Sequence, residues 1–324
     1  MPTTNLSDTV SSVSDSAVSG FKVTAIVVTY NPDLDVLSLL LQTLRQQLDS
    51  IVIVDNASTR QDEIAGLSSD IKYYLLPSNL GLGKAHNLGI EFARSVDSTH
   101  VLLLDQDSLP ERHMLHEMLE TAQQLENNRI KYSGLGCRYL LQADPSQASN
   151  FVRISWFRFS RIHCKKKSYV RADFLISSGT LIPIAAIETV GLMDESLFID
   201  HIDTEWFLRA DSLGFHAYGC CHAFMRHALG EKTTKIWFLR SRLVPSHHPF
   251  RYYYIFRNSV LLYKRRYMSK KWMLADWIRL IQSFIFFGVL SSQRKANVKM
   301  MLKGFVDGIK GASGRRDGLI HKDG

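Results

Sequence analysis

The apolar run Val101–Leu104 ends in Asp105-Gln106-Asp107, two carboxylates one residue apart. Such a pair repels itself and resists desolvation unless a positive group lies between its members. At the end of a buried strand it suits a hard divalent cation. Mg²⁺ or Mn²⁺ prefers oxygen ligands and is commonly held by one or two carboxylates plus the phosphates of a ligand. Taken alone, the pair reads more readily as two solvated loop aspartates, since such spacing often arises by chance. Comparable residues recur elsewhere. "VVTYNP" (Val27–Pro32) closes one apolar run, and "VDNAS" puts Asp55 and Asn56 after another. A carboxylate there can accept a hydrogen bond from a nucleobase ring N–H, although a helix cap or Asx turn would use the same residues. "NLGLGKAHNLG" (Asn79–Gly89) has His86 where a dinucleotide fingerprint needs its third glycine, which counts against hydride transfer. Gly81 and Gly83 instead permit a tight loop and close backbone approach.

These residues need a scaffold that brings strand ends together. "FKVTAIVVTY", "SIVIVDN", "IKYYLLP" and "HVLLLDQD" read as four strands. Helical patterns over Leu34–Leu48 and Gly83–Ser95 lie between them. Fully apolar strands separated by helices imply a parallel sheet covered on both faces, with ligands at the carboxyl ends of its strands. Beyond Asp107 a helix follows, Ile130–Val170 reads as strands and loops, and Arg171–Pro183 returns to strand character. Ile184–Val190 is a short helix, and Ile202–Gly214 a further one stopped by Gly214.

Composition adds a polarity along the chain. From Met225 onward there are 21 Lys and Arg against 5 Asp and Glu; before it, 18 against 26. The basic last third suits a polyanionic partner such as an anionic membrane surface, a phosphorylated ligand or nucleic acid. Nucleic acid would leave the strand-end carboxylates unexplained, since without a metal they repel phosphates. "WMLADWIRLIQSFIFFGVL" (Trp272–Leu290) is interrupted by Asp276, Arg279 and Gln282. It therefore reads as an amphipathic helix lying in a membrane interface rather than a spanning one. The first twenty residues, rich in Ser, Thr and Asp without Lys or Arg, read as a disordered cytoplasmic tail. Four cysteines without CxxC or zinc-finger spacing read as reduced thiols.

In order, "VVTYNP", "VDNAS", "NLGLGKAHNLG", "LLLDQDS", "SSGTLIP" and "LFIDHIDTEWFLRADSLG" resemble the motifs of glycosyltransferase family 2. The likeness is closest to bacterial rhamnosyltransferases that use dTDP-L-rhamnose. It runs from Lys22 to His227 and, more loosely, through "HPFRYYYIFRN". The resemblance implies a GT-A fold: an α/β architecture with a mostly parallel Rossmann-like sheet, flanking helices and a helical C-terminal region. The tail would occupy 1–20, the catalytic domain 21–230 (nucleotide half to about 110), and the basic helical region 231–324.

The resemblance also implies roles. Thr29, Tyr30 and Asn31 would line the nucleotide pocket, with Asp55 facing the base. Asn56, Gly83, Lys84, Asn87 and Gln106 belong to the same nucleotide-binding motifs. Asp105 would contact the ribose or nucleotide, and Asp107 would bind the Mg²⁺ or Mn²⁺ that bridges the diphosphate, with His227 as a further metal ligand. Asp203 falls at the catalytic base. This chain has Ile202-Asp203 where the family usually has Glu-Asp, so Asp200 and Glu205 stand as alternative bases. Arg251 and Arg257 are candidate diphosphate partners, either for the donor or for a lipid-linked acceptor, and Trp206 either stacks on the acceptor or packs in the core. Gly179 and Thr180 would leave room for a sugar. The implied partners are dTDP-rhamnose, a polyprenyl-diphosphate-linked saccharide and the inner face of the cytoplasmic membrane, in O-antigen or related polysaccharide assembly. Another hexosyl donor such as UDP-galactose is the runner-up; a nucleotide- or nucleic-acid-binding protein without transfer activity is the competitor from another class.

Overall fold

A computed structural model describes residues 20–318 except 49, 68–69, 142–143, 228–232, 239, 246–247, 290 and 292, and for 141, 144–146, 227, 233–238 and 240–245 the backbone alone. The expected N-terminal tail lies, but for Gly20, outside the described residues. Strands β1 (Val23–Thr29), β2 (Ser50–Asp55), β3 (Lys72–Leu75) and β4 (His100–Asp105) pair in the order 3-2-1-4, all parallel. The sheet continues from β4 through strands of both directions. β5 (Ser108–Pro110), β6 (Tyr132–Leu141), β7 (Asp144–Ala148), a hairpin of β8 (Phe151–Ser155) and β9 (Arg158–Ile162), and β10 (Tyr169–Ala172) come next in the chain. β11 (Thr180–Pro183) and β12 (His216–His227) follow. β11 joins antiparallel to both β4 and β6, β12 lies parallel to β6, and β10 closes the far edge.

Alternation along the central strands feeds two cores. Ile26, Val28, Val101 and Leu103 face one side with α3 (Leu82–Ser95), α5 (Ile184–Val190) and α6 (Ile202–Ser212). Ala25, Val27, Leu102 and Leu104 face the other with α1 (Leu34–Arg45) and α4 (Met114–Asn127). Burial on both faces explains why these strands read as unbroken apolar runs. α1 forms because Asp33 caps it, accepting from the amides of Asp35 and Val36 at 3.0 and 3.2 Å, while Leu37, Leu40, Leu41 and Leu44 supply its buried stripe. The short α2 (Gln61–Leu67) had no expectation attached to it.

The C-terminal region is only partly as expected. It begins with a hairpin, β13 (Thr233–Phe238) and β14 (Arg240–Pro245), before α7 (Pro249–Tyr263) and α8 (Lys270–Val289). The last helix among the described residues is the 16-residue α9 (Arg294–Ile309), packed on α7 through Gly304 and Gly308, where a Cβ would meet the Tyr253 and Arg257 carbonyl oxygens at 2.2 and 2.8 Å. α8 is rooted in the body by buried Trp272 and Asp276; Asp276 pairs with Arg279 at 2.6 Å and accepts from the Tyr263 hydroxyl at 2.7 Å. The reading of four reduced thiols is corrected. Cys164 and Cys221 form a disulfide, because the pairing of β10 with β12 brings together residues 57 apart; Cys137 and Cys220 are free and buried.

Candidate active site

The ends of β1 and β4, the turn after β2, the loop before α3, and the segments before β11 and α6 surround one cavity of about 590 Å³. One wall carries Thr29, Tyr30 and Asn56, with Asn79, Gly81 and Leu82 beside them. Asp105, Gln106 and Asp107 line it as well, with Ser177 and Ser178 beside them (the Ser178 hydroxyl accepts from the Asp105 amide at 3.1 Å), and Asp200, Asp203, Phe250 and Arg251 complete the lining. A parallel half-sheet whose strands all end at one edge gathers Thr29 and Asp105, more than seventy positions apart in the chain.

On the β1 side, the Gln106 side-chain carbonyl accepts from the Tyr30 amide at 2.7 Å, tying the two strand ends together. The Thr29 hydroxyl is buried and has no hydrogen-bond partner among the described residues, although Thr29 borders the cavity. A buried hydroxyl without a partner is costly, so a ligand that hydrogen-bonds there gains correspondingly. Asp105 and Asp107 are half-buried in the same cavity. That donor set fits a hard divalent cation, which needs only one or two carboxylates when a ligand's phosphates complete its shell. The backbone of His227 lies opposite Ser108, next to Asp107, while its side chain is outside the described residues. Among the described residues no cluster of three or more His, Cys, Asp and Glu side chains could by itself cage a metal.

Asp203 sits in the first turn of α6, its carboxylate accepting from the Thr204 amide at 2.7 Å. Burial pushes its pKa above the ordinary carboxylate value; neighbouring backbone N–H groups offset part of the rise, and the Asp200 charge adds to it. Asp200 is engaged otherwise, paired with Arg251 at 2.6 Å. Glu205 is excluded as an alternative base. It is buried away from the cavity, paired with Arg209 at 2.8 Å, and accepts from the Tyr267 hydroxyl.

Several residues expected to bind the ligand do not line this cavity and are engaged within the protein. Asp55 is fully buried, accepting from the Ser58 amide and hydroxyl at 3.0 and 2.6 Å and from the Tyr73 hydroxyl at 3.1 Å, and it does not line the cavity. Asn31 braces the turn after β2, accepting from the Thr59 amide at 2.8 Å. Lys84 pairs with Glu195 at 3.4 Å, and Asn87 ties α3 to the Met193 backbone through bonds of 2.9 and 3.0 Å. Gly83 provides close approach to Asp194, where a Cβ would lie 3.2 Å from its carbonyl oxygen. Arg257 is buried, donating to the Leu197 and Gly314 carbonyls under the cavity wall rather than reaching into it. Trp206 packs in the core and donates to the Gly191 carbonyl at 2.8 Å. Gly179 and Thr180 lie behind Ser177 and Ser178, which take the cavity position. Asn79, Phe198 and Phe250 line the cavity without having been anticipated; the Asx turn of Asn79, accepting from the Gly81 amide at 3.1 Å, was the one local signal available.

With this geometry in view, comparisons with known proteins are informative. The model of "Glycosyl transferase family 2" matches residues 24–179. The chain is 30% identical over 297 residues to the dTDP-rhamnosyl transferase RfbF of Shigella flexneri, spanning 90% of this chain and 96% of that protein. In three dimensions it resembles S. aureus TarS 1-349, with a TM-score of 0.55 at 18% identity over 89% of this chain and 81% of the other. It also resembles GalNAc-T7, crystallised with UDP, GalNAc and Mn²⁺, with a TM-score of 0.54 at 12% identity over 90% of this chain and 56% of the other. At such identities the two structures speak for the GT-A-like fold alone. The near full-length match to the Shigella protein and the family model over residues 24–179 together establish that this chain belongs to glycosyltransferase family 2.

Proposed function

We propose that the protein transfers L-rhamnose from dTDP-L-rhamnose to a hydroxyl of a saccharide carried on polyprenyl diphosphate, with inversion, during O-antigen or related surface-polysaccharide assembly. One observation carries the chemistry: a half-buried carboxylate of raised pKa, Asp203, borders the same cavity as the strand-end pair Asp105 and Asp107. The donor sugar is supported by the RfbF likeness over nearly the whole chain.

In this reading the thymine and ribose lie along Thr29, Tyr30 and Asn56, with the Thr29 hydroxyl taking up a hydrogen bond from the nucleotide. Asp107, with Asp105, would hold a divalent cation; when bound, that ion supplies positive charge to offset the diphosphate's developing negative charge. Arg251, paired with Asp200, lines the same cavity. The acceptor oxygen attacks the anomeric carbon, the carbon–oxygen bond to the diphosphate breaks, and the acceptor proton passes to Asp203. Attack opposite the leaving group with one base inverts the centre. A pKa raised from the ordinary aspartate value by burial strengthens Asp203 as a base.

The cytoplasmic membrane face is the proposed location. α8 is long and apolar enough to cross a membrane by length and composition, at mean hydropathy 1.3. Its buried Asp276, paired with the partly exposed Arg279, and its packing on the body favour lying along the surface instead. Trp277, Ile281, Ile285 and Val289 recur every fourth residue on its exposed side, and Trp277 meets Phe305 of α9 at 5.9 Å. Lys270, Lys271, Arg294 and Lys295 flank this apolar strip, the combination that suits an anionic lipid interface.

Incubating the protein with a panel of nucleotide sugars, Mg²⁺ and a lipid-linked acceptor tests the activity. Release of dTDP from dTDP-rhamnose is expected; turnover of UDP-sugars alone would eliminate the rhamnose assignment.

A further inference from the structure

The segment Leu197–His201 brings Asp200 to the cavity and leads directly into the first turn of α6, which carries Asp203. Three of its five residues, none of them glycine, hold positive φ: Phe198 at 65°, Asp200 at 63° and His201 at 64°. Backbone of this kind persists only where its surroundings over-determine it. The constraint comes from one turn of α7. The Asn258 side-chain amide, fully buried, donates toward the carbonyl oxygens of Leu197, Ile199 and Asp200 at 3.0, 2.8 and 2.9 Å. Arg257 donates from Nη2 to the same Leu197 oxygen at 2.9 Å, and from Nε to Asn258 Oδ1 at 2.9 Å. The second bond fixes which end of the amide faces the loop. Ser259 completes the turn, its hydroxyl 3.0 Å from His201 Nε2. On the other side the Leu82 amide donates to Phe198 O at 2.8 Å.

We propose that Asn258, oriented by Arg257, is a positioning residue: it gathers three carbonyls of this loop and thereby sets where the Asp203 carboxylate stands relative to the reacting sugar. Neither Asn258 nor Arg257 lines the cavity, so neither touches substrate. A primary amide suits the task because it presents N–H groups to the carbonyls and an oxygen to the arginine without burying a further charge. The inference rests on the assignment of Asp203 as the base.

The test is Asn258→Asp, which keeps the shape and turns a negative group toward the three carbonyls. Lys264→Ala is the control: that lysine, on the turn following α7, donates to the Gly308 and Ile309 carbonyls of α9 and not to the loop. Concentrations of folded sites are set by dTDP titration. For Asn258→Asp, a base displaced by about 1 Å predicts a kcat lower by ~10²-fold with donor KM changed by less than about threefold, while Lys264→Ala keeps kcat. If Asn258→Asp does not accumulate as folded protein, Arg257→Lys, which keeps the charge and loses the fork, carries the same measurement. A kcat within about threefold of wild type would overturn the proposal, as would an equal loss in Lys264→Ala. Should Asp203→Asn itself remain active, the base assignment fails; should it be inactive while Asn258→Asp turns over normally, only the positioning role fails.

Discussion

Replacing Asp203 by Asn separates the two properties of that side chain. Asparagine keeps the shape and an oxygen to accept from the Thr204 amide, so α6 retains its first turn. It cannot accept the proton of an attacking hydroxyl. General-base loss costs ~10²–10⁴-fold, or about 3–5 kcal/mol at 1.36 kcal/mol per tenfold. The neighbours put the effect in the upper part of that range. Glu205 is locked to Arg209 and Tyr267, and Asp200 is paired with Arg251, so neither is available as a substitute. Donor KM should hold, because Asp203 is assigned to the acceptor hydroxyl and not to the nucleotide. Stability should move the opposite way to activity. Since burial raises the folded-state pKa of Asp203, the folded protein binds the extra proton between the unfolded value and that raised one. Wild-type stability from this group therefore falls as pH climbs through the window, and the deficit persists above it. Asp203→Asn lacks the penalty, so it should melt higher than wild type at pH 8 and lose that advantage below the ordinary carboxylate range. Initial-rate measurements of dTDP release, paired with melting curves at the two pH values, read both effects. A variant within tenfold of wild-type kcat, or one that melts lower at pH 8, would refute the reasoning.

Gly81 has φ 92° and ψ 165°, a region open essentially to glycine, and a Cβ there would lie 2.5 Å from the Phe198 carbonyl oxygen. Gly81→Ala should therefore cost about 1–3 kcal/mol and lower kcat by displacing the base-bearing loop, measured by denaturant melts and initial rates; unchanged stability would remove the close approach from the account. Ile281→Glu combined with Ile285→Glu should abolish sedimentation with anionic vesicles while leaving turnover of a soluble acceptor intact, since each buried isoleucine is worth about 1.5–3 kcal/mol; undiminished sedimentation would refute the interfacial seat. Reduction of Cys164–Cys221, which closes a loop of sequence separation 57, should destabilise the protein by at most about 4 kcal/mol, seen as a lower melting temperature in reductant; equal melting with and without reductant would show that the crosslink adds nothing.

The nucleotide half was legible because its signals are local. Each strand from β1 to β4 carries its own apolar run, and the polar residues that end it fall at one sheet edge by topology. What the motifs could not separate was a side chain facing the cavity from one bracing the loop behind it. Asp55 and Asp105 both end parallel strands, yet Ser58 and Tyr73 claim the first while the second stays at the cavity. The same ambiguity hid Arg257, whose carbonyl partners at Leu197 and Gly314 lie about sixty residues away in either direction. The antiparallel strands β10–β12 and the disulfide depend on pairings across long separations, which leave no period in the sequence. α9 was obscured by its lysines and glycines, although Gly304 and Gly308 are the residues that let it approach α7.

The central claim is that Asp105 and Asp107 grip a cation against the diphosphate of a sugar nucleotide. Calorimetric titration of dTDP into the wild-type protein and into Asp107→Ala, each with Mn²⁺ and with chelator, tests it directly. Charge-assisted contacts of about 1.5–3 kcal/mol predict ~10- to 100-fold tighter dTDP binding with Mn²⁺ in the wild type, and little gain in the variant. Equal dTDP affinity in Mn²⁺ and chelator for the wild type, or the same Mn²⁺ gain in Asp107→Ala, would contradict it.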